Sequence, residues 1–189
     1  MKKRFISLIT LLCIIPTFLV PAFAYVELPF TIGSKITYYP YEGFGSVSRS
    51  HMRQAASVWN NAVGDTLISV STTTQPNRTG YYNNDGKNYI YAEDVGRDYV
   101  AQNHYWYSSY KLTQSDININ MYYSWANSAA VDCYDVYSVF LHELGHSMGL
   151  GDVKTSGYKD KAIMYYIVYT NSERRELLSD DLSGLNALY

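Results

Sequence analysis

The stretch FLHELGHSMGLGDV, Phe140 to Val153, sets two histidines four residues apart with a glutamate directly after the first. Residues four apart share one face of a helix, so His142 and His146 can each offer a ring nitrogen to a single ion. Glu143 projects roughly 100° away from His142 on the same helix, beside the ion rather than onto it. There its carboxylate can take the proton of an attacking water. The spacing therefore reads as a zinc site with a general base. A catalytic zinc needs a third protein ligand. Gly149 is suited to end the helix in a left-handed conformation and turn the chain back, and Asp152 follows shortly after it. No histidine follows His146, so a third ligand from the downstream chain is a carboxylate or a tyrosine. Asp152 is favoured over a plain polar turn residue, and Asp160 is weaker because it lacks the glycine-spaced register.

Working outward, Asp135 is the expected N-cap of the site helix, which runs through Val136, Val139, Phe140 and Leu144. Upstream, residues 34–41, 66–73, 88–94, 98–109 and 115–123 are β-branched, aromatic or alternating, and read as strands. Met52, Ala55, Ala56, Trp59 and Val63 recur at helical spacing before Gly64, so an early amphipathic helix ends there. The segment 75–87 is rich in Asn, Gly, Thr and Asp and reads as a loop. Within it, NNDGKN (83–88) offers oxygens for calcium, but an ordinary turn accounts for it better, so calcium is unsupported. A closing helix is expected with Ser179 as N-cap, two acids in its first turn and Leu182, Leu185 and Leu188 on one face. Strands interleaved with helices make this an α/β layered fold with a mixed sheet.

The first 24 of the 189 residues have a different character. Lys2, Lys3 and Arg4 precede an apolar run, then Pro21 and the small-residue pattern Ala22-Phe23-Ala24, so residues 1–24 read as a signal peptide and the chain as secreted. An uncleaved anchor is the alternative; Pro16, Pro21 and the cleavage pattern argue against it. Residues 25–189 then form a single domain, large enough for its own core. Without Lys2, Lys3 and Arg4, 12 basic residues face 17 acidic ones, a net charge of about −5. That balance, with no basic cluster, disfavours nucleic acid as a partner. No later segment is long and apolar enough to span a bilayer. Cys133 would be the single cysteine after cleavage, and a small buried residue is the plain reading. A monomer is expected.

These residues carry a family resemblance. HELGHSMGLGD (142–152) resembles the H-E-x-x-H-x-x-G-x-x-H motif of the metzincin metallopeptidases, with aspartate in the last place. KAIMYYI (161–167) puts Met164 where that group has its methionine turn, an apolar floor under the ligands. LTQSDININMYYSW, DVYSVFLHELGHSMGLGD, LLSDDLSGLNALY and SHMRQAASVWNNAV are similar to successive elements of the matrixin branch. The resemblance implies a twisted five-stranded mixed sheet with one antiparallel edge strand, three helices, and a zinc cleft beside that strand. It implies a zinc endopeptidase whose polypeptide substrate lies extended along the edge strand, placed at Tyr99 to Tyr107. Asn103 and His104 are then the candidate substrate contacts, although a half-buried strand histidine is the commoner case. Two departures stand out. Aspartate in the third ligand position is similar to the snapalysins, a group of bacterial secreted metzincins. Tyr166 stands where matrixins have proline and where astacin-like enzymes have a zinc-contacting tyrosine. Its hydroxyl is a candidate for binding zinc, for stabilising an oxyanion, or for lining a pocket. Two other readings stay open: a binding module that keeps zinc for structure, against which the intact Glu143 argues, and a hydrolase of cell-wall peptides or amides.

Overall fold

Alternation decides the first main strand. Along residues 36–40, Ile36, Tyr38 and Pro40 are buried while Thr37 and Tyr39 face outward, the period-two pattern of a sheet with one buried face. The computed structural model describes residues 23–78 and 83–189; the expected signal segment lies outside them except for Phe23 and Ala24. In chain order the elements are β1 (Val26–Glu27), β2 (Thr31–Ile32), β3 (Ile36–Pro40), α1 (Ser46–Val63), β4 (Ile68–Val70), β5 (Asn88–Glu93), β6 (Ala101–Ser108), β7 (Lys111–Asn120), β8 (Ser124–Ala126), β9 (Cys133–Asp135), α2 (Val136–Ser147), β10 (Leu150–Gly151) and α3 (Ser179–Leu188).

The main sheet runs β4–β3–β5–β7–β6, with β3, β4, β5 and β7 parallel and β6 antiparallel to β7. This is the expected mixed sheet with one antiparallel edge, extended by β2, a two-residue strand parallel to the start of β7. The strand expected at 115–123 begins earlier, at Lys111, because β6 and β7 form a tight hairpin. Ser109 and Tyr110 both adopt positive φ, at 50° and 61°. That backbone matches the twist of a two-residue hairpin but normally calls for Asn or Gly, so sequence SSYK conceals the turn.

Two helices close the inner face of the sheet. Helix α1 buries Met52, Ala55, Ala56 and Trp59 and ends at Gly64 in the left-handed region. The Trp59 indole, fully buried, donates to the Leu141 carbonyl of α2 at 2.9 Å, so the largest side chain of the core also fixes the site helix. Full burial of such a ring contributes on the order of 3 kcal/mol. Helix α3 differs from expectation. Ser179 is its first residue rather than its cap, and Leu178 precedes it. Leu185 is buried, whereas Leu182 is exposed. The two first-turn acids, Asp180 and Asp181, are buried. Asp181 accepts from the Leu178 N–H, so the third residue of the helix supplies the cap. No helix among the described residues is long and apolar enough to cross a membrane.

Candidate metal centre

Helix α2 is anchored at its start by a carboxylate. Asp135 accepts from the Ser138 N–H at 3.0 Å and from the Ser138 hydroxyl at 2.7 Å, satisfying two donors at the helix N-terminus. Arg175 grips the same carboxylate with two N–H groups, at 2.7 and 3.1 Å. That bidentate pair ties the chain after Met164 to the start of the site helix. At the other end, Gly149 turns the chain with φ of 94°. A Cβ there would meet the Phe30 carbonyl, so the turn demands glycine on both counts.

The turn brings Asp152 back over the helix. Its Oδ1 lies 3.3 Å from His142 Nε2 and 3.7 Å from His146 Nε2. One ligand atom from each of these three residues lies within 4.8 Å of the others, and no other such group exists among the described residues. Zinc bound at about 2.0–2.2 Å to nitrogen and oxygen has tetrahedral edges of about 3.3–3.5 Å, which the two measured separations bracket closely. Each histidine is also held by its other ring nitrogen. His142 Nδ1 bonds the Ile163 carbonyl at 2.9 Å and His146 Nδ1 the Leu150 carbonyl at 2.8 Å. A carbonyl can only accept, so both Nδ1 atoms carry hydrogen and both Nε2 atoms are left for a metal. The donor set fits zinc.

Glu143 is buried beside this set, and its Oε2 has no hydrogen-bond partner. Burial pushes its carboxyl up to about 7; His142 opposes that shift and Asp152 adds to it. An orphaned carboxylate oxygen at the floor of a cleft is costly and is suited to receive a proton from something bound there. In the ligands, burial works against charge on His142, but Asp152, Glu143 and the Ile163 carbonyl together raise it to about 9. Burial and the neighbouring His142 bring His146 down to about 4. Burial resists the charge of Asp152, yet the two imidazoles hold it below the usual carboxylate range.

Met164 is buried and lies under α2 at Gly145. A Cβ on Gly145 would come within 3.1 Å of Met164 Cε and 2.9 Å of Trp59 Cζ2. The turn at Met164 is held from behind by Asp181. This carboxylate accepts from the Ile163 N–H at 2.7 Å and the Met164 N–H at 3.0 Å, and the Ile163 carbonyl is the partner of His142. Nothing in the sequence singled out Asp181 for this role. Asp180, its neighbour, accepts from the Ala24 N–H at 2.8 Å.

His142, His146 and Asp152 open onto a cleft of about 640 Å3 walled by β6 on one side and by Tyr166 to Val168 on the other. Tyr166 is half-exposed on that wall. Tyr105, Tyr123 and Tyr134 complete an aromatic lining. The strand contacts separate by face. Asn103 points inward and is buried, its amide engaged by Glu143 and Ser147 of α2 and by Ser115 of β7. The side chain expected to meet substrate is thus committed to the protein. His104, the next residue, lies on the opposite face of the strand, away from the cleft lining, and burial lowers it to about 4. Asp160 is exposed and pairs with Arg174 at 3.1 Å, and it is not part of the group formed by His142, His146 and Asp152. In the NNDGKN segment (83–88), the Asp85 carboxylate accepts from the Arg78 guanidinium at 2.9 Å and the Lys87 N–H at 3.1 Å.

The peptidase family model described as Matrixin matches residues 31–189. Metalloendoproteinase 1 of Glycine max is 28% identical over 101 residues, covering 53% of this chain and 28% of that protein. Metalloendoproteinase 2-MMP of Arabidopsis thaliana is 32% identical over 73 residues, covering 35% of this chain and 18% of that protein. The matches thus span less than a third of either plant relative.

Proposed function

Because the chain belongs to the matrixin family of metallopeptidases, we propose that it is a secreted, zinc-dependent endopeptidase acting on extended polypeptide. The observation that supports this best is the meeting of His142, His146 and Asp152 at zinc-ligand spacing beside the orphaned Glu143 carboxylate. Secretion is proposed from the basic, apolar and small-residue succession over residues 1–24. Zinc, when bound, lowers the pKa of a water and polarises a carbonyl.

The remaining steps belong to the chain. Strand β6 pairs only with β7 among the described residues, so its other edge offers backbone donors and acceptors along the cleft. An extended peptide pairs with such an edge by main-chain hydrogen bonds and needs no particular sequence to do so. Glu143 takes the proton of the attacking water at its Oε2 and delivers it to the leaving amine, a role suited to a carboxyl raised toward neutrality by burial. Tyr166, on the facing wall, is the residue proposed to steady the developing oxyanion through its hydroxyl. The tyrosines lining the cleft favour apolar and aromatic substrate side chains.

The test is cleavage of unfolded casein by the purified protein, abolished by chelator and restored by zinc. Glu143→Gln is expected to keep zinc at one equivalent and lose about 10²- to 10⁴-fold in kcat. A folded, zinc-loaded protein that cuts nothing in a broad peptide library overturns the peptidase reading and favours a binding module.

A further inference from the structure

Where β6 meets α2, the core is polar rather than apolar. Tyr38, Ser115 and Ser147 are fully buried and Asn103 nearly so. Asn103 Nδ2 donates to Ser147 Oγ at 2.8 Å, and Ser147 Oγ lies 2.6 Å from the Tyr38 hydroxyl. Tyr38 donates to Ser115 Oγ at 2.6 Å, and Ser115 returns its proton to Asn103 Oδ1 at 2.6 Å. With Ser147 donating to Tyr38, every hydroxyl gives once and receives once, so the four side chains close a ring of hydrogen bonds. One donor is left over. The second hydrogen of the Asn103 amide goes to the backbone carbonyl of Glu143, at 2.7 Å.

We infer that Asn103 is a positioning residue: its amide fixes the distance between the strand that carries the substrate and the backbone of the residue that takes the proton. The inference rests on the peptidase reading above. An apolar contact at this junction would hold the two elements together equally well, since a satisfied buried hydrogen bond adds little net stability over a well-packed apolar pair. It would not fix their register. Dispersion contacts tolerate sliding, whereas a hydrogen bond loses strength steeply with distance and angle. The ring orients the amide from three other elements: β3 through Tyr38, β7 through Ser115 and α2 through Ser147. What the oriented amide holds is the peptide unit of Glu143 itself. A peptide paired along β6 and the Glu143 carboxylate are thereby referenced to one another through this side chain, which adds to the hydrogen bond that the Asn103 backbone gives the carboxylate itself. Misplacement of reacting groups by about 1 Å costs up to about 100-fold in rate.

Asn103→Leu keeps the shape and removes the donor. Per zinc-loaded site, well below the melting temperature, kcat is expected to fall about 10- to 100-fold with KM within about twofold, because the pairing edge of β6 is untouched. Asn103→Ser, too short to reach the Glu143 carbonyl, is expected to do the same and covers the case in which the leucine variant does not fold. Asn60→Leu is the matched structural control. That asparagine clamps residues 67–68 to α1 through three hydrogen bonds, far from the cleft. It is expected to lower Tm with kcat per site unchanged. Hydrogen exchange at the α2 amides supplies a readout independent of turnover, and Asn103→Leu is expected to speed it while Asn60→Leu is not. If the wild type cleaves and both Asn103 variants match it in kcat per site, the inference falls and the peptidase reading stands. Equal losses of kcat in the Asn103 and Asn60 variants also overturn it. A wild type that cleaves nothing removes the peptidase reading itself.

Discussion

Asp152 brings a negative charge to a position where a histidine would bring none. Paired with two neutral imidazoles it gives the metal-ligand set a net charge of −1, which strengthens the electrostatic hold on a divalent cation. Asp152→Ala is therefore expected to weaken zinc binding by at least about 100-fold, more than the loss typical of an outer hydrogen-bond partner. Competition against a chromogenic chelator measures this directly. Asp160→Ala, which removes an exposed ion pair with Arg174, is expected to leave zinc affinity unchanged, and equal losses in the two variants would refute the assignment of Asp152. The meeting of His142, His146 and Asp152 could be read from the sequence because it is local: one helical turn separates the histidines, and one glycine-led turn returns the aspartate. Asn103 could not be read in that way. Its position on the edge strand was legible and suggested substrate contact, but which way its amide points depends on Tyr38, Ser115 and Ser147, contributed by three other elements. No periodicity in one segment encodes that meeting.

Helix α3 reaches the metal centre without touching it. Asp181 spends both carboxylate oxygens on three backbone N–H groups, those of Ile163, Met164 and Leu178. The Ile163 carbonyl in turn orients His142. Asp181→Asn keeps the size of the side chain but replaces one acceptor by a donor, so an amide hydrogen is set against a backbone N–H. The expected cost is about 2 kcal/mol in unfolding free energy, the loss typical of a buried charge-assisted hydrogen bond. Zinc affinity should fall about 10-fold, as for other groups that orient a ligand. Denaturant unfolding with zinc titration separates the two effects, and a variant that loses stability while keeping zinc affinity would disconnect the helix from the site. In the sequence these acids look like ordinary first-turn charges favoured by the helix dipole. A carboxylate that caps a helix and one that clamps a distant turn have the same local signature, so α3 was legible as an element and its task was not. The hairpin at Ser109 and Tyr110 was hidden for a similar reason, since residues without glycine's freedom adopt its backbone there.

Over the whole molecule, the sheet order follows from patterns that survive long-range packing. Parallel strands β3, β5 and β7 carry apolar or aromatic residues toward α1 and α2, and the antiparallel edge strand lies on the cleft side. What ties these layers together at the cleft is a set of loops: the turn at Gly149, the segment ending at Met164, and the chain around Arg175. Each carries part of the candidate ligand set or its support, and their backbone pairing is short: two residues of β10 on β1 after the Gly149 turn, and a single bridge between Val153 and Tyr165. Zinc would then act as a cross-link between α2 and the chain at Asp152, present in the folded state and lost in the unfolded one. At a free zinc concentration a thousandfold above Kd, that linkage stabilises the fold by about 4 kcal/mol. For a chain of this size each kcal/mol moves the midpoint by roughly 2–4 °C, so chelation is expected to lower Tm by roughly 8–16 °C. Asp152→Ala, already weak in zinc, should show little further drop on chelation. Calorimetry of both proteins with and without chelator tests this. A wild-type midpoint that does not move when zinc is removed would mean that the folded state does not bind zinc in preference to the unfolded one, and the assignment of His142, His146 and Asp152 as its ligands would fall.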